Sequence, residues 1–173
     1  MTLTLYDATI PSFLQILGAL DHLIDKAEGH MAEHGVSEEE LVQARLFPNM
    51  QPLAYQLKAS AEHSRGAIEG VRAGVFTPQT VMPPQTFDAL RTKLREAHDL
   101  LAVLDPAEVN GFVGQDMRFE FKGHITPFTA EGFLLSFALP NFYFHATTAY
   151  DLLRHKGVKI GKMDFLGKMQ VRA

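Results

Sequence analysis

Cysteine is absent from the 173 residues. That removes disulfides, thiol nucleophiles and Cys-ligated zinc from consideration. Positive charge is scarce beside negative: 16 Lys and Arg stand against 20 Asp and Glu, a net charge of -4. Binding to phosphate backbones needs concentrated cation, so nucleic acid is not the expected partner. Gly-rich phosphate loops, a Ser elbow and paired-carboxylate motifs are all missing, and Gly111 and Gly114 are too isolated to substitute for them. No repeat or low-complexity tract interrupts the chain. The start, MTLTLYDATIPSFLQ, has neither a basic opening nor a small-residue cleavage site. It does not read as a signal peptide, and a cytoplasmic location is expected.

What is present fits one domain spanning residues 1–173. The composition is 46% hydrophobic and 21% charged, ordinary globular usage. A chain of this length buries roughly 70% of its unfolded surface, enough to fold without a metal or disulfide staple. The stretch between Glu131 and Asp151 carries no Asp, Glu, Lys or Arg and is long enough to raise the question of a membrane span. Pro140, Asn141, His145, Thr147 and Thr148 would then sit in hydrocarbon at considerable cost. A helix at the centre of a bundle, apolar on most sides, explains the run better, and no membrane partner is expected.

Apolar residues at Ile10, Phe13, Leu14, Leu17, Leu20, Ile24, Ala27 and Met31 recur at steps of three and four. They predict an amphipathic helix to about His34, ended by Gly35. Ser37-Glu38-Glu39-Glu40 reads as a capping box opening a short helix. A second long helix is expected from Pro52 to Ala73. Lys58, Glu62, Arg65, Glu69 and Arg72 form a solvated charge stripe on it, opposite Leu53, Leu57, Ala61, Ile68 and Val71. Gln56, Ser60 and His63 lie along one edge of its apolar arc. Residues 74–85 read as loop, and Thr86 caps a third helix carrying Phe87, Leu90, Leu94, Ala97 and Leu101. Asp105-Pro106 opens one further turn. Met117, Phe119 and Phe121 alternate with charged residues, a strand that turns at Gly123 and pairs back over His124–Pro127. Thr129 caps the last helix, which runs to about Lys156. The expected fold class is therefore all-α: a four-helix bundle with a short β-hairpin inserted before the last helix.

The last helix carries the chemistry. Pro140 supplies no N–H, so the Ser136 carbonyl loses its partner and a bend is expected there. Asn141 and His145, at i and i+4, point the same way just past that bend. They are either a mutually satisfied buried pair or a ligand pair. Thr148 follows on nearly the same stripe. His63 on the second helix is the residue expected to converge with them, unless it sits half exposed at the rim. His30 and His34 share the i, i+4 spacing but end the first helix on a polar side, where a favourable dipole explains them.

The segment LPNFYFHATTAYDLLRHKGVKIGKMDFLG from Leu139 to Gly167, the opening LTLYDATIPSFLQILGALDHLIDKA and the QARLFPNMQPLAYQ segment resemble an uncharacterised bacterial family known only as a domain of unknown function. That family falls in the DinB/YfiT-like superfamily of four-helix bundles. The resemblance implies a bundle whose better-known relatives are metal-dependent, often homodimeric, and in some cases thiol-dependent transferases or isomerases. The superfamily's metal motif is one His on the second helix and two His spaced by four on the last. Here the second falls on His145, the first is replaced by Asn141, and His63 is the nearest candidate for the helix-two ligand. A neutral amide is a poor substitute for imidazole at zinc or nickel.

Three readings follow. The first is a small-ligand-binding protein with a degenerate metal site, its pocket lined by Asn141, His145, Tyr143, Thr148 and Gln56 with neighbouring Phe142 or Phe144. The second is a divalent-metal enzyme (Zn, Ni or Mn) of transferase or hydrolase type, with His145, His63 and Asn141 as ligands. The third is a dimeric structural protein. A homodimer is compatible with the first. No residue is assigned as a nucleophile, and a divalent metal (Zn, Ni or Mn) is the one cofactor considered, entering with the second reading.

Overall fold

The computed structural model describes residues 2–171. Its first helix, α1 (Leu5–His34), starts five residues ahead of the apolar pattern. The reason is local: Thr4 Oγ1 accepts from Asp7 N at 3.2 Å while Asp7 Oδ2 accepts from Thr4 N at 3.1 Å, a reciprocal cap. Pro11 then lies inside the helix, where it removes only the bond to the Asp7 carbonyl. The short α2 (Glu38–Val42) is capped by Ser37 as expected.

The second long helix is α3 (Leu53–Ala61) and α4 (Ala67–Ala73), joined by a π-turn over Glu62–Gly66. Two buried serines accompany that turn. Ser60 and Ser64 donate their hydroxyls to the carbonyls one turn back, Gln56 O at 2.9 Å and Ser60 O at 2.8 Å. Such back-bonding satisfies carbonyls where the regular ladder is disturbed and favours bending. Next come β1 (Val75–Phe76), α5 (Phe87–Ala102) and α6 (Pro106–Asn110).

The expected hairpin is present as β2 (Asp116–Phe121) and β3 (His124–Thr129), joined by Lys122 and Gly123 with φ of 49° and 83°. Positive φ at both positions suits a tight two-residue turn whose twist matches the strands. The hairpin gains a third strand, because β1 pairs parallel to β2 with Phe76 opposite Phe119. Residues 74–85 are therefore not all loop; two residues of that connection complete the sheet.

The last long helix consists of α7 (Ala130–Phe133), a π-turn over Leu134–Ala138, and α8 (Leu139–His155). The irregularity expected at Pro140 takes the form of this π-turn directly before it, with Leu139 N bonded to Leu134 O. A short α9 (Lys162–Leu166), absent from the sequence expectation, follows.

The four long helices form a ring in which α1 packs on α5 and α8, and α3 also packs on α5 and α8. Ile10, Phe13, Leu17, Leu20, Ile24, Leu53, Leu57, Leu90, Leu94, Phe142 and Leu153 are among the fully buried residues at its centre. The sheet closes one end of the bundle with a phenylalanine cluster. Phe119 and Phe137 have centroids 4.9 Å apart, Phe133 and Phe137 5.4 Å, and Phe76 and Phe133 5.3 Å. Among the described residues, no helix is long and apolar enough to cross a membrane.

One expectation fails clearly. Lys58, expected on a solvated charge stripe, has a side chain only 2% exposed. The connection after α4 folds back over the second helix. Lys58 Nζ donates to Gln79 O at 2.6 Å and pairs with Glu62 at 3.1 Å, while Gln79 N donates to Glu62 Oε1.

Candidate functional site

Two histidines from different long helices meet under the aromatic end of the bundle. His63 lies within the π-turn of the second helix, and His145 lies on α8 one turn beyond Asn141. Their rings are stacked, with centroids 5.4 Å apart and planes 14° from parallel. Each residue is 8% exposed. The half-exposed position that was the alternative for His63 is therefore not the one it occupies.

Gln56 fixes the second ring. Its amide N–H donates to Gln51 O at 2.9 Å, which leaves Oε1 to accept from His145 Nδ1 at 2.7 Å. The bond network therefore assigns the proton of neutral His145 to Nδ1 and the lone pair to Nε2. His63 has no such support. Its Nδ1 is buried and has no hydrogen-bond partner among the described residues.

Both imidazoles are held neutral. Burial pushes the His63 pKa down to about 3, reinforced by repulsion from His145 and from Lys58. Burial likewise pushes His145 down to about 4. At neutral pH the pair offers lone pairs and N–H groups rather than positive charge. Aromatic rings enclose it: Phe76 and Phe137 lie 5.6 and 5.8 Å from His63, and Tyr55 and Phe144 lie 5.8 and 5.2 Å from His145. Tyr55, with its hydroxyl pKa raised by burial and then by the Glu62 charge, links the pair to Lys58 and Glu62.

The remaining sequence candidates are placed differently. Asn141 is on the same side of the helix, but its amide N–H donates to Phe137 O at 2.8 Å, within its own helix. It does not pair with His145, so the expected Asn–His pair is replaced by Gln56–His145. Thr148 is buried, with its hydroxyl bonded to Phe144 O at 2.7 Å. Tyr143 is two residues from His145, hence roughly opposite on the helix, and is 37% exposed. Phe142 belongs to the core, edge-on to Phe13 at 4.9 Å. His30 and His34 sit beside each other at the end of α1, with His34 near Glu33. Tyr55, Phe76, Phe137 and Lys58 were missed. Tyr55 adjoins Gln56 in sequence, but nothing local marks Phe76, whose approach depends on β1 pairing.

A resident metal needs more donors than this site assembles. Catalytic zinc uses three protein ligands, nearly always imidazole, carboxylate or thiolate. His63 and His145 are two imidazoles, and Asn141 and Gln56 are amides already engaged through Phe137, Gln51 and His145. Among the described residues, no group of three or more His, Cys, Asp or Glu is arranged to hold an ion. The donor set does not fit the metal centre that the superfamily resemblance implies.

Comparison with known proteins agrees with this architecture. Residues 5–166 match a family described as a domain of unknown function, DUF1993. The chain is also similar to the crystal structure of a DinB family member protein from Shewanella denitrificans, with a TM-score of 0.83 and 27% sequence identity over 98% of this chain and 95% of that one. No curated protein matches it.

Proposed function

This chain belongs to the DUF1993 family and has the helical bundle of a DinB family protein; from that premise we propose that it binds a small organic ligand at the His63–His145 pair. The observation that carries the reading is the unpartnered, buried Nδ1 of His63. A buried polar atom without a partner costs about 1–3 kcal/mol, which a ligand that meets it restores. The walls are aromatic and the imidazoles neutral, so the fitting ligand is an uncharged, flat molecule with one hydroxyl or N–H group. Gln56 holds His145 in one tautomer and so fixes the donor and the acceptor of that ring. The metal site of the superfamily is degenerate here, and the ligand is held without an ion.

The test is histidine side-chain 15N NMR of the full chain against a panel of phenols and anilines. A fragment that shifts the His63 and His145 nitrogens, and loses its effect in His63→Phe, supports the site. A panel that leaves both rings untouched overturns it.

A homodimer is a compatible second proposal. Leu135, Tyr143 and Phe144 expose 43%, 37% and 57% of their surface along the outer side of the last helix. A self-complementary apolar helix face of this kind suits a two-fold interface. Sedimentation at high concentration should give a dimer that Phe144→Glu dissociates. A wild-type monomer sinks the idea.

A further inference from the structure

A cavity lies away from the histidine pair. It has a volume of about 760 Å3 and lies between α1, α5 and the segment containing α9. Pockets of 300–1,000 Å3 are the usual size for small-molecule sites.

Its construction is specific. Pro11, Leu14, Gly18 and Ala19 form an apolar floor along one stripe of α1. Gly18 borders open space: a Cβ built there meets nothing within 4 Å. The roof is a strap tied to α1 at separate points. Gln15 donates its side-chain amide to Leu166 O at 2.7 Å. His22 meets Asp164 at 3.2 Å. At Gly167 the backbone comes so close that an added Cβ would sit 3.2 Å from Ala19 Cβ. Phe165 stacks edge-on against Tyr150 of α8. The strap is thus fastened on both sides of the cavity while the space over Gly18 stays open. Met163, 60% exposed, supplies an adaptable apolar lip.

The polar lining sets the charge of the occupant. Asp164, the one carboxylate among the described lining residues, is satisfied by Gly161 N at 2.8 Å and by His22. Those bonds hold its pKa below the ordinary range, so it stays ionised and committed to the strap. Lys168 and His98 also line the cavity, and His98 Nδ1 lies 3.3 Å from Asp99 Oδ1. What remains to meet a ligand is a cationic side chain, an imidazole and the Gln170 amide beside an apolar floor. We propose that this cleft is a binding site for an organic anion, a monocarboxylate or monosulfonate with an apolar body, whose head meets Lys168 and His98 and whose body lies over Gly18.

The experiment uses the full chain and 1-anilinonaphthalene-8-sulfonate, an apolar body with one anionic head, competed by decanoate. Saturable one-to-one fluorescence enhancement, displaced by decanoate, is expected. Gly18→Leu starts from a Cβ that meets nothing within 4 Å, and it should weaken binding at least about tenfold by filling the cavity, with circular dichroism and the melting temperature checking that the fold is retained. Lys168→Ala should weaken it about threefold, the scale of an exposed charge contact. Gly18→Leu should leave the fragment responses of the His63 and His145 nitrogens unchanged, which separates this cleft from the first site. Absence of saturable binding overturns the proposal, as does binding that Gly18→Leu leaves intact. A shift of wild-type dimer to monomer in Gly18→Leu, with no probe bound by either, also overturns it and identifies the cleft as a surface between two copies.

Discussion

The imidazoles of His63 and His145 are stacked 5.4 Å apart, although the two residues are 82 positions apart in sequence and on different long helices. His63 lies within an irregular stretch of its helix, and His145 about two turns beyond one. Because both rings are buried and adjacent, protonating either one places charge where water cannot reach it and where the other ring repels it.

Acid should therefore destabilise the protein well above the carboxylate range. The folded pKa values, about 3 for His63 and about 4 for His145, lie below the unfolded value of 6.5. The unfolded chain binds protons first as pH falls. The neutral pair contributes its full stability above pH 6.5 and loses it progressively down to about pH 4. By pH 5 the loss is about 2 kcal/mol per imidazole. Urea unfolding at pH 7.5 and 5.0 measures this directly, and replacing either histidine by Phe should flatten the profile. A flat wild-type profile across that window would refute the buried neutral pair.

Gln56 should govern the tautomer of His145. In the wild type, 15N shifts should report a protonated Nδ1 and a bare Nε2. Gln56→Leu removes the acceptor at 2.7 Å and leaves a buried N–H unmet, at about 1–3 kcal/mol. The His145 tautomer should then become mixed. Unchanged shifts in the variant would show that another group sets the proton.

Two glycines should respond in opposite directions to alanine. Gly18→Ala adds a methyl to open space on a long helix and should stabilise by about 0.5–1 kcal/mol. At Gly70 the new Cβ would lie 2.9 Å from Phe76 Cβ and 3.3 Å from its Cα. Something must move, at about 1–3 kcal/mol. The strand that presents Phe76 to His63 is what gives way, so Gly70→Ala should also shift the His63 ring signals. Equal effects at both positions in chemical denaturation would contradict these packing distances.

Lys58→Ala should cost about 3 kcal/mol, because it strips Glu62 and the Gln79 carbonyl of their shared cation in a closed setting. Lys58→Met, which keeps the apolar stem, should cost less. A surface-stripe lysine would lose only a few tenths in either variant, so the size of the Lys58→Ala effect decides between the two placements.

Three of the four long helices were legible because Ile10 to Met31, Leu53 to Val71 and Phe87 to Leu101 repeat at helical spacing, and burial demands that spacing; the last was legible from its Thr129 cap and uncharged run. The hairpin followed from the alternation at Met117, Phe119 and Phe121. His63 and His145 could be nominated as partners from chemistry and family resemblance. Their company could not. A π-turn is one surplus residue within a helix, and apolar periodicity barely registers it, so neither Glu62–Gly66 nor Leu134–Ala138 stood out. Lys58 looked solvated because its neighbours alternate in charge, and only the fold-back of Gln79 covers it. Asn141 and Gln56 exchanged roles for a similar reason. Nothing in the spacing says that Asn141 turns back to Phe137, or that Gln56 reaches across from another helix.

The two π-turns also set a phase. A surplus residue offsets everything after it by roughly 100° around the helix axis relative to an uninterrupted run. Excising one residue from Leu134–Ala138 would rewind α8 against its neighbour and carry His145 out of alignment with Gln56, without touching either side chain. Length, as much as identity, is therefore what homologous engineering of this bundle must preserve: a single-codon deletion far from the histidines can unmake their meeting while leaving every residue of the pair in place.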